Sequence, residues 1–175
     1  MSESLPPGQS SQAAPLIINT QYVKDLSFEV PGAPQVFTTL RSQPQINLGL
    51  DVKVQKLAPE EQNAFEVTLH LRAEAFDPAQ GGAAAGAAPE EGKRPPAVFI
   101  AELAYAGVFT LNNVPENAVE PVLLVECPRL LFPFARNILA DITREGGFPP
   151  VLLQPIDFVA LWQSRRAQMR PAGNA

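Results

Sequence analysis

The chain holds a single cysteine, Cys127, and a single histidine, His70, among its 175 residues. One cysteine can form neither an internal disulfide nor a zinc framework. Charged residues are also scarce, at 18% against the roughly 25% usual in soluble domains. No apolar run approaches the ~18 residues that a membrane span needs. There is no glycine-rich phosphate loop, no paired His/Cys metal spacing and no serine elbow. Gly81, Gly82 and Gly86 belong to a spacer with no helix behind it. The opening MSESLPPGQSSQAAP is polar with an early Glu3, without the basic-then-apolar order of a secretory signal. A net charge of −5 argues against nucleic acid and anionic membranes as partners. The expectation is a reduced, soluble, cytoplasmic protein with no membrane insertion, no metal and no cofactor.

What is present is a chain long enough for one domain, 46% hydrophobic. Low charge beside ample apolar residues points to buried or adhesive surface beyond one ordinary core. Its 19 prolines are about twice the usual share and fall in a few places. Residues 1–15 are expected to be disordered, residues 16–170 to form a single domain, and residues 171–175 a disordered tail.

Two-residue alternation predicts four strands. The first is 16–30, with Leu16, Ile18, Tyr22, Leu26, Phe28 and Val30 on one side; Thr20 and Lys24 break that pattern. Pro31-Gly32-Ala33-Pro34 closes it. The second sets Ile46, Leu48, Leu50, Val52 and Val54 against Asn47, Asp51, Lys53 and Gln55. After a polar turn at 59–63, the third sets Phe65, Val67, Leu69, Leu71 and Ala73 against Glu66, Thr68, His70, Arg72 and Glu74. Such a pair makes an antiparallel hairpin with one wet face. The Gly, Ala and Pro-rich stretch 77–96 reads as a flexible insertion. The fourth strand, 98–111, is apolar on both faces around Glu102, so one face is doubly covered or offered to a partner.

The remainder reads as helical. Pro133 can open a helix, where it loses no hydrogen bond, and Phe134, Ala135, Ile138, Leu139 and Ile142 form its stripe. Gly146-Gly147 then stops it, and Pro149-Pro150 forbids continuation. Leu130, Leu131, Phe132 and Phe148 add more apolar surface than one stripe can bury, which predicts packing on a sheet and on another subunit. A last helix follows Asp157 as N-cap, with Phe158, Leu161 and Trp162 apolar and Arg165, Arg166 and Arg170 suited to a helix C-terminus. Strands followed by helices predict an α+β fold: a four-stranded antiparallel sheet with helices packed on one face.

A thiol enzyme would need Cys127 beside a base, and nothing in the spacing brings the only histidine, His70, to it. The carboxylates Asp25 and Glu29 share a strand face roughly 13 Å apart. By themselves they read as solubilising surface.

Four segments change that reading: TQYVKDLSFEVPGAPQVF (20–37), FIAELAYAGVFTL (99–111), CPRLLFPFARNILADITREGGFPP (127–150) and LLQPIDFVALW (152–162). Their motifs KDxSFExPxAP, CPxxLFPxAR and GxFPP…PxxFxxL, in that order, closely resemble the SecB family of protein-export chaperones over residues 16–165. The resemblance implies a SecB-like fold and a homotetramer built as a dimer of dimers. It would hold unfolded precursor proteins in the cytoplasm and pass them to the SecA motor, without catalysis, ATP or cofactor. It implies a SecA-binding patch at Asp25, Glu29, Ile100 and Glu102, facing a basic, metal-bearing tail of that partner. It implies an unfolded-protein groove at Ile46, Leu48, Leu50, Phe148, Pro149, Leu152 and Leu153, with the C-terminal helix at its side. The stripe Phe134, Ile138, Leu139 and Ile142 is the expected oligomer interface. Where many members carry Trp-x-Pro before the second strand, this chain reads LRSQPQINL, a departure at one aromatic wall of the groove. Competing readings are a purely structural oligomer, a SecB-like chaperone for non-secretory clients, and a small-molecule or hydrolytic domain using Cys127.

Overall fold

The computed structural model describes residues 14–57, 63–80 and 96–169. Four strands, β1 (Leu16–Glu29), β2 (Gln45–Lys56), β3 (Ala64–Phe76) and β4 (Ala97–Leu111), form one antiparallel sheet in the order β1-β4-β3-β2. The helices are α1 (Val36–Thr39), α2 (Glu116–Pro121), α3 (Cys127–Glu145) and α4 (Phe158–Met169). A π-helical turn, Val122–Glu126, joins α2 to α3. The expected disorder of residues 1–13 and 171–175, most of the 77–96 insertion and most of the 59–63 turn lie outside the described residues.

The exceptions at Thr20 and Lys24 mark two irregularities in β1. Its register against β4 shifts between Ile18 and Thr20, and again between Val23 and Asp25. An extra residue in one strand flips the face of everything after it. Ile18 therefore pairs with Phe109, Val23 with Tyr105 and Phe28 with Ala101, all toward the helices. Tyr22, Asp25 and Glu29 pair with Ala106, Ala104 and Ile100 on the opposite, open face.

The helix-side core runs from Val67, Leu69 and Leu71 through Phe99, Leu103 and Phe109 to α3. There Cys127, Leu131, Ala135, Leu139 and Thr143 recur every fourth residue and are all buried. The helix begins six residues before Pro133, with Pro128 in its first turn and Pro133 inside it. Pro133 removes one backbone bond, but it lies on the exposed side, and the buried stripe continues unbroken past it. Gly107 lets α3 approach, since a Cβ there would meet the rings and methyls of Phe109 and Leu131 at 2.8 and 2.9 Å.

The wet face predicted for β3 holds only in part: Glu66 and Thr68 are 7% and 4% exposed. Tyr22 and Lys24 of β1 reach across β4 to the Glu66 carboxylate, Lys24 Nζ donating at 2.6 Å.

Candidate functional site

Three surfaces carry the residues singled out above. The first is the open sheet face. Glu29 lies opposite Ile100 and Ser27 opposite Glu102, with Asp25 one pair further along. On the other side of β4, Arg72 lies opposite Glu102, Glu74 opposite Ile100 and His70 opposite Ala104. The structure thus brings Asp25, Glu29, Ile100 and Glu102 together on two neighbouring strands. Carboxylates (Asp25, Glu29, Asp51, Glu66, Glu74, Glu102) outnumber the cations Lys24, Lys53, Arg72 and Arg165 here, the last paired with Asp51. Arg72 donates from Nε to Glu74 at 3.0 Å, and its two terminal nitrogens hold Glu74 and Glu102. Neither Asp25 nor Glu29 joins any ion pair among the described residues. Sequence reasoning missed Arg72 in this role, although its place two residues from His70 on the wet face was visible.

Beside this patch is a depression of about 600 Å³ lined by Asp25, Asp51, Lys53, His70, Arg72 and Glu102 among others. Burial, followed by nearby Lys53, pushes the His70 imidazole below its ordinary range. Cys127 lies in the core under α3, on the other side of the sheet, and burial, with Glu126 adding, pushes its thiol up to about 12. A thiol so placed carries no thiolate at neutral pH, so the two groups form no nucleophile–base pair. Among the described residues no group of three or more His, Cys, Asp or Glu could hold a metal ion.

The second surface is a cleft of about 300 Å³ between the start of β2 and the segment after α3. Ile46 and Leu48 form one wall, Pro149, Leu152 and Leu153 the other, with Phe99, Val151, Gln43 and Pro44 also lining it. Leu152 is 75% exposed. Phe148 does not reach this cleft: it is buried beneath it, its ring 4.9 Å from Phe99 and 5.2 Å from Phe37. Leu50 packs half-buried against the core instead. Thr143 holds the outer wall in place, donating back to the Leu139 or Ala140 carbonyl and accepting from the Val151 amide at 3.0 Å. A threonine in the buried stripe was the available signal for it.

Helix α4 lies against the middle of edge strand β2, where Arg165 reaches the Leu50 and Val52 carbonyls. Asp157 caps it by accepting from the Ala160 amide. Trp162 donates to Glu120 at 3.0 Å, Arg166 lies 5.0 Å over the Trp162 ring, and Arg165 pairs with Asp51.

The third surface is on α3, where the expected interface stripe divides. Leu139 is buried in the core, Ile138 and Ile142 are half-buried, and Phe134 is 50% exposed. Leu130, one turn earlier, is 39% exposed. Phe134 stacks on Tyr105 of β4, ring centroids 6.2 Å apart.

The sequence matches the family model described as preprotein translocase subunit SecB over residues 9–169. It is 63% identical over 158 residues to the protein-export protein SecB of Acidiphilium cryptum, covering 90% of this chain and 93% of that one. Against the protein-export protein SecB of Granulibacter bethesdensis the identity is 62% over 163 residues, covering 92% and 89%. Among solved structures, the fold is similar to a Mycobacterium tuberculosis SecB-like chaperone in complex with a ChAD peptide from an antitoxin. That likeness has a TM-score of 0.58 at 16% identity and covers 82% of this chain and 92% of the other.

Proposed function

The chain belongs to the SecB family, and from that premise we propose that it is a cytoplasmic holdase that binds unfolded precursor proteins and delivers them to SecA for export. The observation that carries this reading is the open apolar cleft between β2 and the Pro149–Leu153 segment. A binder of many sequences gains nothing from specific polar pockets, because each unmatched buried polar group costs about 1–3 kcal/mol. It needs apolar walls that stay apart. The rings of Pro149 and Pro150 stiffen one wall, and the Thr143 bond to Val151 anchors it. Among the described residues no helix is long and apolar enough to cross a membrane.

Assembly as a dimer of dimers is part of the proposal. Apolar surface on the helix side supports it: exposed Ile18, Val23 and Leu26 of edge strand β1, and exposed Leu130 and Phe134 of α3, linked through Tyr105, which pairs with Val23 and stacks on Phe134. Apolar patches of that extent are covered in a stable soluble protein.

The test uses two double variants against an unfolded precursor and purified SecA. Leu48→Ser with Leu152→Ser should weaken precursor binding at least tenfold and leave SecA binding intact. Asp25→Ala with Glu102→Lys should do the reverse, since charges at a rim govern association with a charged partner. Undiminished precursor binding by the first variant overturns the groove assignment. Equal loss of both activities in the second overturns the separate patch.

A further inference from the structure

Glu102 is not free to meet a basic partner in the resting molecule. Arg72 spans from Glu74 to Glu102 across β3 and β4. Its guanidinium is used unequally: Nε and one terminal nitrogen face the same Glu74 oxygen, while only the other terminal nitrogen holds Glu102. A planar fork with five donors can release one acceptor and keep another. All three side chains remain partly exposed, Arg72 by 48%, Glu102 by 44% and Glu74 by 18%. The contacts are therefore weak enough to exchange.

We propose that Arg72 is an internal competitor for the partner's cations, which sets how tightly the acidic patch binds. The proposal rests on the reading of Asp25, Glu29 and Glu102 as a patch for a basic segment of SecA. Asp25 and Glu29, which make no ion pair of their own, attract that segment first. An incoming Lys or Arg then takes Glu102 from Arg72, which stays on Glu74. Glu74 is thus a positioning residue: it parks the guanidinium away from the patch while the partner is bound. Without Glu74, Arg72 turns wholly to Glu102 and opposes the partner by both occupation and like charge.

These relations make opposite predictions for neighbouring substitutions. Removing the competitor with Arg72→Thr should tighten binding of purified SecA at low salt by about two- to fivefold, the scale of an exposed ion pair. Glu74→Gln should weaken it by a similar factor. In the Arg72→Thr background Glu74→Gln should have no effect, because Glu74 acts only through Arg72; the double-mutant cycle isolates that dependence. Binding should also lose more affinity with added salt in Arg72→Thr than in the parent, since the patch has lost its own cation and Glu102 is left unpaired. Unchanged or weaker binding by Arg72→Thr overturns the proposal. So does a Glu74→Gln effect that persists without Arg72, which would mean direct contact with the partner. Failure of parent and variants alike to bind SecA would remove the patch assignment itself, a result distinct from either.

Discussion

Thr143 falls where the four-residue spacing of α3 asks for an apolar side chain, and it is wholly buried. Its hydroxyl is satisfied twice, by a carbonyl of the preceding turn and by the Val151 amide. Thr143→Val keeps the shape and removes the acceptor, leaving a buried N–H unpaired. That should cost about 1–3 kcal/mol in urea unfolding and speed hydrogen exchange at Val151; Thr143→Ser should restore the slow exchange. A Val variant as stable as the parent would show that the loop is held otherwise. Glu66 gives a pH signature. Hydrogen bonds from Lys24 first and Tyr22 second hold its carboxyl below the ordinary range, against the opposing effect of burial. A carboxylate depressed on folding contributes stability that is complete above its unfolded pKa of about 4.3. That contribution is lost as pH falls from there through the folded value. Glu66→Gln should be less stable at pH 7 and show a shallower acid decline; parallel declines for the two proteins would refute the assignment. Thr143 left a trace in the sequence, as a polar residue in an apolar stripe, but the role of each residue depends on a partner brought near only by folding.

At the scale of elements, the end of α3 shows packing overruling propensity. Alanine is favoured over glycine in helices by about 1 kcal/mol, and Gly146 keeps right-handed helical backbone, φ −73°. Yet a Cβ there would lie 2.2 Å from the Phe28 ring, which is itself stacked 5.5 Å from Phe99. Gly146→Ala should therefore destabilise, by about 1–3 kcal/mol as overpacking does, read as a lowered thermal midpoint; a rise would mean the ring moves freely. Gly147, at φ +87°, supplies the left-handed stop that the Gly-Gly pair predicted. The same contrast holds at the front of the helix. Pro133 looked like a start because local rules disfavour proline inside a helix. The buried stripe from Cys127 to Thr143 carries the helix through it.

For the whole molecule, the sheet has one face covered by helices and one open, and α3 keeps apolar side chains that its own sheet does not cover. If assembly uses that helix surface, light scattering should give a mass near four chains. Phe134→Asp should give smaller species with little change in circular dichroism, since its ring is half-exposed and contributes mainly to the interface. A monomeric parent at micromolar concentration would discard the tetramer, and an undiminished assembly in the variant would move the interface elsewhere.

The sequence alone determined the four strands, the α+β class, the stop at Gly146-Gly147 and the cap at Asp157. Each of these is governed by side-chain period or by backbone preferences of a few adjacent residues. The single alternating face read for β1 did not hold, because two register shifts put Tyr22 on the face opposite Ile18 and Phe28. Family resemblance, carried by motifs of particular residues, suggested the positions of the proposed patch and groove. Only the tertiary structure decided the strand order β1-β4-β3-β2, and with it which charges meet. Tyr22 and Lys24 reach Glu66 across β4, and Arg72 bridges Glu74 and Glu102. It also decided that Phe148 supports the groove from below while Leu152 faces out. These are contacts between segments far apart in the chain, fixed by how a sheet and a helix share one core, and no local periodicity encodes them.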